Sequence, residues 1–466
     1  MQIPILNGIY ADKASDFRTS YPRNLIPVPK ENGISKGYLR PADGIVSFGT
    51  GPGADRGAFN WDGVLYRVMG TKLVSVAEDG TVTTLGDVGT GGQCTFDPSF
   101  DKLGISSGGR LYFWDGAALT QNTDPDLGTV VDFIWVDGYF MTTDGDHLVV
   151  TELNDPYSVN PLKYGASEAD PDRIVGILKL RNEPYALNRY TIEVFDNVGG
   201  NFFPFERVEG AQIQRGVIGT YAACVFMERI AFLGSGRNEA PAVWFGFNAS
   251  SVKISTREID QILKTYTEDQ LALTVLEPRV DKGHQMLYMN LPDKTWVYDG
   301  AASAVMEEPV WFQLTSSLVG LGQYRAKNMI WCYNKWISGD PTSYALGYYT
   351  DDLSSHYEDV IGWDFNTVVL YNEGRGAIVH ELELVGLPGR VAFGKNPTIW
   401  TSYSTDGETW SQEKPRAAGK QGERNKRLTW LQQGMFRNYR IQRFRGTSDA
   451  FLSFARLEAR IEGLNF

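Results

Sequence analysis

Short aromatic or β-branched runs break at Asp-Gly or Gly-Gly and then resume, at least six times and about once per forty residues. Clear instances are Asn60-Trp61-Asp62-Gly63-Val64-Leu65-Tyr66, Gly108-Gly109-Arg110-Leu111-Tyr112-Phe113, Trp135-Val136-Asp137-Gly138-Tyr139-Phe140 and Thr295-Trp296-Val297-Tyr298-Asp299-Gly300. Aromatic and β-branched side chains suit a pleated, half-buried surface, and Asp-Gly supplies the positive φ of a tight hairpin turn. Hairpins repeating at this period predict a β-propeller, whose blades bury their faces only against neighbours. The units divide at Gly57, Gln93, Val130, Ile174, Val217, Leu273 and Ser317, giving about seven blades between residues 57 and 361.

Three segments depart from that pattern. Residues 1–56 include Tyr21-Pro22-Arg23-Asn24-Leu25-Ile26-Pro27-Val28-Pro29-Lys30, whose prolines forbid helix and central strand, so an extended arm is expected. Within it, Lys36 to Ile45 reads as one strand ending in a turn. Ser255-Thr256-Arg257-Glu258 matches a capping box, Ile259, Ile262, Leu263 and Tyr266 follow at helical spacing, and Thr267-Glu268-Asp269-Gln270 repeats the cap signal. A helical insert is expected over about 256–272. From 362 to 466 longer strands alternate strictly, as in Ala377 to Leu384 and Leu452 to Ile461, predicting a separate β-sandwich. The expected fold class is all-β.

Composition narrows the function classes. A net charge of −12 argues against a surface built to grip phosphate backbones. No apolar run is long enough to span a bilayer, and Met1 to Asp16 lacks the basic start and apolar centre of a signal peptide, so membrane insertion is not expected and assembly in cytosol is. Cys94, Cys224 and Cys332 lie in separate units and read as buried thiols. The four histidines stand far apart, and neither a nucleophile elbow nor a phosphate loop occurs, so no catalytic residue, metal or cofactor is expected. Ser404-Thr405-Asp406-Gly407-Glu408-Thr409-Trp410 falls one residue short of a sialidase Asp-box and reads as a plain hairpin.

The charge is unevenly spread. Between Gln412 and Arg445 stand Lys414, Arg416, Lys420, Arg424, Lys426, Arg427, Arg437, Arg440, Arg443 and Arg445 against Glu413 and Glu423, a net +8 that leaves −20 on the remainder. A basic strip on an acidic body suits head-to-tail contact between subunits. Arg416, Lys420, Arg424, Lys426, Arg427, Arg437 and Arg440, with Tyr21, Leu25 and Tyr38 of the arm, are therefore the candidate inter-subunit or partner contacts.

An ordered set of segments carries a family resemblance: Gly37-Tyr38-Leu39-Arg40, Val64-Leu65-Tyr66-Arg67-Val68, Tyr190-Thr191-Ile192-Glu193, Gln214-Arg215-Gly216-Val217-Ile218-Gly219-Thr220-Tyr221, the helix from Glu258 to Asp269, His284-Gln285-Met286-Leu287-Tyr288-Met289-Asn290-Leu291-Pro292, Val297-Tyr298-Asp299 and Ser404-Thr405-Asp406-Gly407. The chain resembles the packaged-DNA stabilisation proteins of short-tailed phages, the tail accessory factors or tail hubs. The resemblance implies a structural, non-enzymatic virion protein that forms a hexameric ring below the portal and its adaptor. It further implies closure of the channel on packaged DNA, which passes without sequence-specific binding, and seating of the tail needle and the tailspikes or fibres. An acidic conduit would let such DNA slide. The competing class is a glycan-binding or glycoside-cleaving propeller, with Trp331, Tyr333, Trp336, Tyr344, Tyr348 and Tyr349 as a sugar platform.

Overall fold

The computed structural model describes all residues except 7, 13–15, 31–33, 201, 392 and 465–466, and of residues 9–12 and 16–18 it describes the backbone only. Seven sheets of four or five antiparallel strands follow one another between Asp55 and Thr350. Their innermost strands touch in sequence and the last (Lys327–Cys332) meets the first (Asp55–Trp61), which closes a seven-bladed propeller. The Asp-Gly turns form as the sequence requires: Asp62 and Gly63 have φ of 52° and 81°, and Asp137 and Gly138 have 50° and 87°. Both pairs sit in the doubly left-handed turn that matches strand twist.

The ring is closed by a strand from far away. Blade 7 comprises Lys327–Cys332, Lys335–Gly339, Ala345–Thr350 and, as its outer strand, Gly44–Thr50. That strand approaches the first blade so closely that a Cβ on Gly80 would lie 1.8 Å from the Phe48 carbonyl oxygen. Only glycine fits there, and its φ of +87° asks for glycine as well.

The C-terminal region is a two-sheet sandwich, as its alternation predicts. One sheet runs Leu25–Val28, Tyr38–Pro41, Phe454–Gly463, Ala377–Gly386 and Leu428–Leu431, with Gln2–Ile3 also on Phe454–Gly463. The other runs Gly362–Asn366, Tyr439–Thr447, Thr398–Ser404 and Lys414–Ala417.

The segment expected as an extended arm thus supplies strands to one sandwich sheet and to blade 7, and a separate two-stranded pair, Gly8–Asp12 with Asp16–Ser20. Its prolines are accommodated because Leu25–Val28 lies at a sheet edge, where a missing N–H costs nothing. Alternation then does the joining: Leu25 and Leu39 are buried in the sandwich core, and Ile26, Ala42 and Ile45 in a propeller core. One ribbon therefore serves as a layer of both domains. The strap packs on its own chain.

The helical insert contains α1 (Arg257–Leu263) and α2 (Glu268–Ala272), with Ile259, Leu263 and Leu271 buried against blade 5 and 6 residues. Thr267 and Gln270 form the expected reciprocal cap of α2. The cap expected at Ser255 does not form: Ser255 Oγ bonds Asp260, and Glu258 accepts from the backbone N–H of Thr19 instead (3.1 Å). A third helix, α3 (Gly300–Met306), follows Asp299 where a hairpin turn was expected; the Asp299 carboxylate caps it by accepting from Ala302 N–H (3.1 Å). Among the described residues no helix is long and apolar enough to cross a membrane.

Candidate functional site: the propeller axis, the joint and the sandwich tip

A propeller axis is the usual place for a ligand or a passage, so what fills it decides much. Here polar side chains of the inner strands spend their bonding capacity on the next blade. Asp97 of blade 2 accepts from Trp135 N–H of blade 3 (2.6 Å) and from Lys179 of blade 4 (2.9 Å). Asp132 of blade 3 accepts from Ile177 N–H of blade 4 (3.0 Å) and from the Thr95 hydroxyl of blade 2 (2.6 Å). Glu277 of blade 6 accepts from Met329 N–H of blade 7 (3.0 Å). Within blade 1 the buried Arg67 and Asp55 side chains form a bidentate pair at 2.8 and 2.9 Å, and Asn328 of blade 7 donates to the same carboxylate (2.6 Å) and accepts from Arg67 at its carbonyl (3.1 Å). Burial raises the Asp132 carboxyl to about 6, and it raises those of Asp97 and Glu277 as well.

The axis is also crossed. Tyr221, at the inner end of blade 5, donates its hydroxyl to the Gln93 carbonyl leading into blade 2 (2.7 Å), and the Gln93 side chain bonds Asn328 of blade 7. Blades 2 and 5 stand on opposite sides of a seven-membered ring. What remains beside this crossing is a cavity of about 220 Å³ lined from five blades, by Gly57, Phe96, Tyr221, Glu277 and Asn328 among others. A duplex cannot pass through the propeller, and the axial acids are staples between blades instead of a phosphate-repelling lining.

Residues that resemble reactive pairs are sealed. Ser316 Oγ lies 2.7 Å from His356 Nδ1, but His356 is fully buried, its Nε2 meets no partner, and burial with the nearby Arg325 charge lowers it to about 3. His284 Nδ1 lies 2.5 Å from the Asp299 carboxylate that caps α3. Cys94, Cys224 and Cys332 are buried and unpaired, and burial pushes the Cys94 thiol up to about 11. Asp406 receives Glu408 N–H, Thr409 N–H and Ser404 Oγ, the bonding of a plain turn. The six aromatics considered as a sugar platform do not form one surface. Tyr349 is buried over Arg279, Tyr333 donates to the Val76 carbonyl (2.8 Å) between blades, and of the six only Trp331 and Tyr344 are exposed.

The joint between propeller and sandwich is organised by two residues that sequence reasoning passed over. Asn24, in the left-handed region (φ 53°), donates its amide to the carbonyls of Thr315 in blade 6 (3.0 Å) and Gly362 in the sandwich (2.8 Å), and accepts from Thr315 N–H (2.9 Å). Arg23 reaches Asp364 of the sandwich (3.2 Å) and the Gly320 carbonyl (2.7 Å). The one signal was a conformation that Asn tolerates within a proline-rich run. Beside this clasp lies a cavity of about 500 Å³ lined by Tyr21, Glu258, Trp296, Asp364, Trp410 and Arg443, among others.

The candidate contacts separate into three groups. Leu25 is wholly inside the sandwich core, and Arg440 is wholly buried, so neither can meet a partner. Arg440 has no carboxylate among the described residues; it donates to Gln442 Oε1 (3.0 and 2.8 Å) and to the Gln433 carbonyl (2.7 Å), and stacks on Tyr403. Burial lowers it to about 10. Tyr21 and Tyr38 are half-buried, and Tyr21 stands edge-on to Trp296 with its hydroxyl bonded to Thr256 at the start of α1. Arg416, Lys420, Arg424, Lys426, Arg427 and Arg437 are exposed. Arg427 is spent on Glu383, while Arg416, Lys420, Arg424 and Arg437 form no ion pair among the described residues.

A closed propeller and a sandwich sharing one strap, with axial polar groups consumed in holding blades together, define a structural scaffold. Two family models match the chain in that order: "Bacteriophage P22 Gp10, beta-propeller" over residues 1–354 and "Bacteriophage P22 Gp10, beta-sandwich" over residues 362–462. The "Tail hub protein gp10" of Salmonella phage P22 is 27% identical over 457 residues, 94% of each chain. The chain belongs to the P22 Gp10 family and is a structural protein of a phage tail. Solved structures similar to it include the WD40 domain of Neurospora crassa Pan2 (9% identity, 66% of this chain and 95% of that one, TM-score 0.41) and Kluyveromyces lactis Hsv2 (8%, 71% and 95%, TM-score 0.35). No argument rests on these two.

Proposed function

We propose that copies of this chain, six by family precedent, form a ring below the portal and its adaptor in the virion tail. The ring closes the channel on packaged DNA and seats the needle and the tailspikes or fibres, without catalysis. Synthesis and assembly take place in the host cytoplasm. The observation that carries this reading is the match to the P22 tail hub across both domains in order and over nearly the whole chain. The structure supports it with a propeller axis that Tyr221 crosses, which leaves no room for a duplex inside the propeller, and with a strap that makes the two domains one unit.

The test is reconstitution with DNA-filled heads that carry portal and adaptor but lack this chain. Added chain is expected to make the DNA resistant to nuclease and to permit needle attachment. Heads that retain their DNA equally well without it would contradict the proposal.

A further inference from the structure

The chain's charge is separated along the molecule. Residues 124–209, which begin just before blade 3 and end with blade 4, carry sixteen acidic side chains against six basic ones, a net −10 and half of the −20 outside the basic strip. Asp146, Asp155, Glu168, Asp196, Glu206 and Glu209 of this arc are exposed and form no ion pair among the described residues. Exposed apolar groups lie among them, with Leu162 on the outer strand of blade 3 and Phe202 on the blade 4 loop whose Phe203 packs against Gly165 of that strand.

The sandwich is bonded to blades 6 and 7, so in a seven-membered ring the acidic arc stands across the axis from it. Its basic tip is the loop from Ala418 to Arg427, which joins the edge strand of one sandwich sheet to the edge strand of the other. The loop is braced by Gly422 N–H to the Gly389 carbonyl (3.1 Å) and Ala418 N–H to the Pro397 carbonyl (2.8 Å). The bracing loop, 387–397, presents the most exposed large apolar side chain among the described residues, Phe393, 91% exposed, together with Leu387 and Lys395. Each end thus offers apolar groups among charges mostly of one sign, with Glu423 the exception in the tip loop and Arg173, Arg181 and Arg207 exceptions on the arc, and the two net signs are opposite.

We propose that the basic tip of one copy docks on the acidic blade 3–4 arc of the next. This rests on the ring reading and specifies its contact. Two different patches at opposite ends make a heterologous contact, the kind that closes into a ring, and unpaired cations facing unpaired carboxylates give it register and orientation. A second copy is favoured over DNA because the chain as a whole repels phosphate.

The experiment uses two full-length variants on portal–adaptor complexes. One carries Lys420→Glu, Arg424→Glu and Lys426→Glu, which turns the 418–427 loop from +3 to −3, and the other Asp146→Lys, Asp155→Lys, Glu168→Lys, Asp196→Lys, Glu206→Lys and Glu209→Lys, which turns residues 124–209 from −10 to +2, all at exposed positions. Circular dichroism of each checks the fold. Each variant alone is expected to lose ring formation, because its tip and arc then carry the same sign. An equimolar mixture is expected to regain it, because the negative tip of one chain meets the positive arc of the other. Rings from either variant alone, or a mixture of folded chains that stays unassembled, would overturn the proposal. So would wild-type retention of a DNA duplex that the tip variant loses, which would assign the tip to nucleic acid. Wild-type chain that forms no ring on the complex would instead refute the ring reading itself.

Discussion

The propeller and the sandwich solve the same problem, joining separate sheets into one body, by opposite means. The propeller is closed by polar bonds: carboxylates of inner strands reach across to the N–H groups and hydroxyls of neighbouring blades, and the buried Arg67–Asp55 pair of blade 1 is fastened to blade 7 through Asn328, whose amide donates to Asp55 and whose carbonyl accepts from Arg67. The sandwich is closed by apolar packing around Leu25, Leu39, Leu382, Phe444 and Phe454, with the wholly buried Arg440 among them. Both depend on the same strap. A buried polar staple costs desolvation but fixes direction, which suits a ring whose seven members must meet at one angle; an apolar interface fixes area, which suits two stacked sheets.

The largest effect expected from breaking this comparison is removal of residues 1–43. Gly44–Thr50 would remain to close blade 7, whereas the sandwich would lose strands Leu25–Val28 and Tyr38–Pro41 and the cover they give its core. Limited proteolysis should cut within 362–466 while the propeller fragment resists. Equal resistance of both would show that the strap is dispensable. Next in size are two single substitutions. Arg67→Ala leaves Asp55 buried and partly unpaired, and a loss of about 3–5 kcal/mol in denaturant unfolding is expected. Arg440→Ala strips the donors from Gln442 and the Gln433 carbonyl, with an expected loss of roughly 2–4 kcal/mol. The first should loosen the propeller and the second the sandwich, read separately by domain-resolved hydrogen exchange.

Asp132 gives a pH-dependent version of the same contrast. Its folded value of about 6 lies above the ordinary carboxyl value, so between roughly pH 4 and 6 the folded state holds a proton that the unfolded state has released. Its contribution is fully present at acid pH and is lost as pH rises through about 6, on the order of 2 kcal/mol. Asp132→Asn keeps an acceptor for Ile177 N–H and offers a donor to the Thr95 hydroxyl, so it should flatten the slope of propeller stability between pH 4 and 6. A slope equal to the wild type's would place the titration elsewhere. The smallest effect is expected from Tyr221→Phe, which removes the bond across the axis at a cost of about 1 kcal/mol and without change of fold.

What could be read from the sequence follows range. Asp62-Gly63 and Asp137-Gly138 declare their turns because the conformation is decided by the two residues themselves. Asp299-Gly300 misled because the same dipeptide caps a helix when the following residues are small, as Ala301, Ala302 and Ser303 are. The strap was illegible as sheet because its partners lie hundreds of residues away: Arg23 bonds Asp364, and Gly44–Thr50 pairs with Ala345–Thr350. At the sandwich tip, counting charge grouped Arg416, Lys420, Arg424 and Arg437, which are exposed, with Arg440, which a tyrosine ring and two glutamines hold inside.

The most direct measurement of the account is cryo-electron microscopy of the virion tail, masked on the region below the portal. The account predicts a six-fold ring of propeller–sandwich subunits between adaptor and needle, with the DNA path running between copies and each propeller axis closed by Tyr221. Density for this chain at the fibre or spike tips, or a duplex threaded through a propeller, would contradict it.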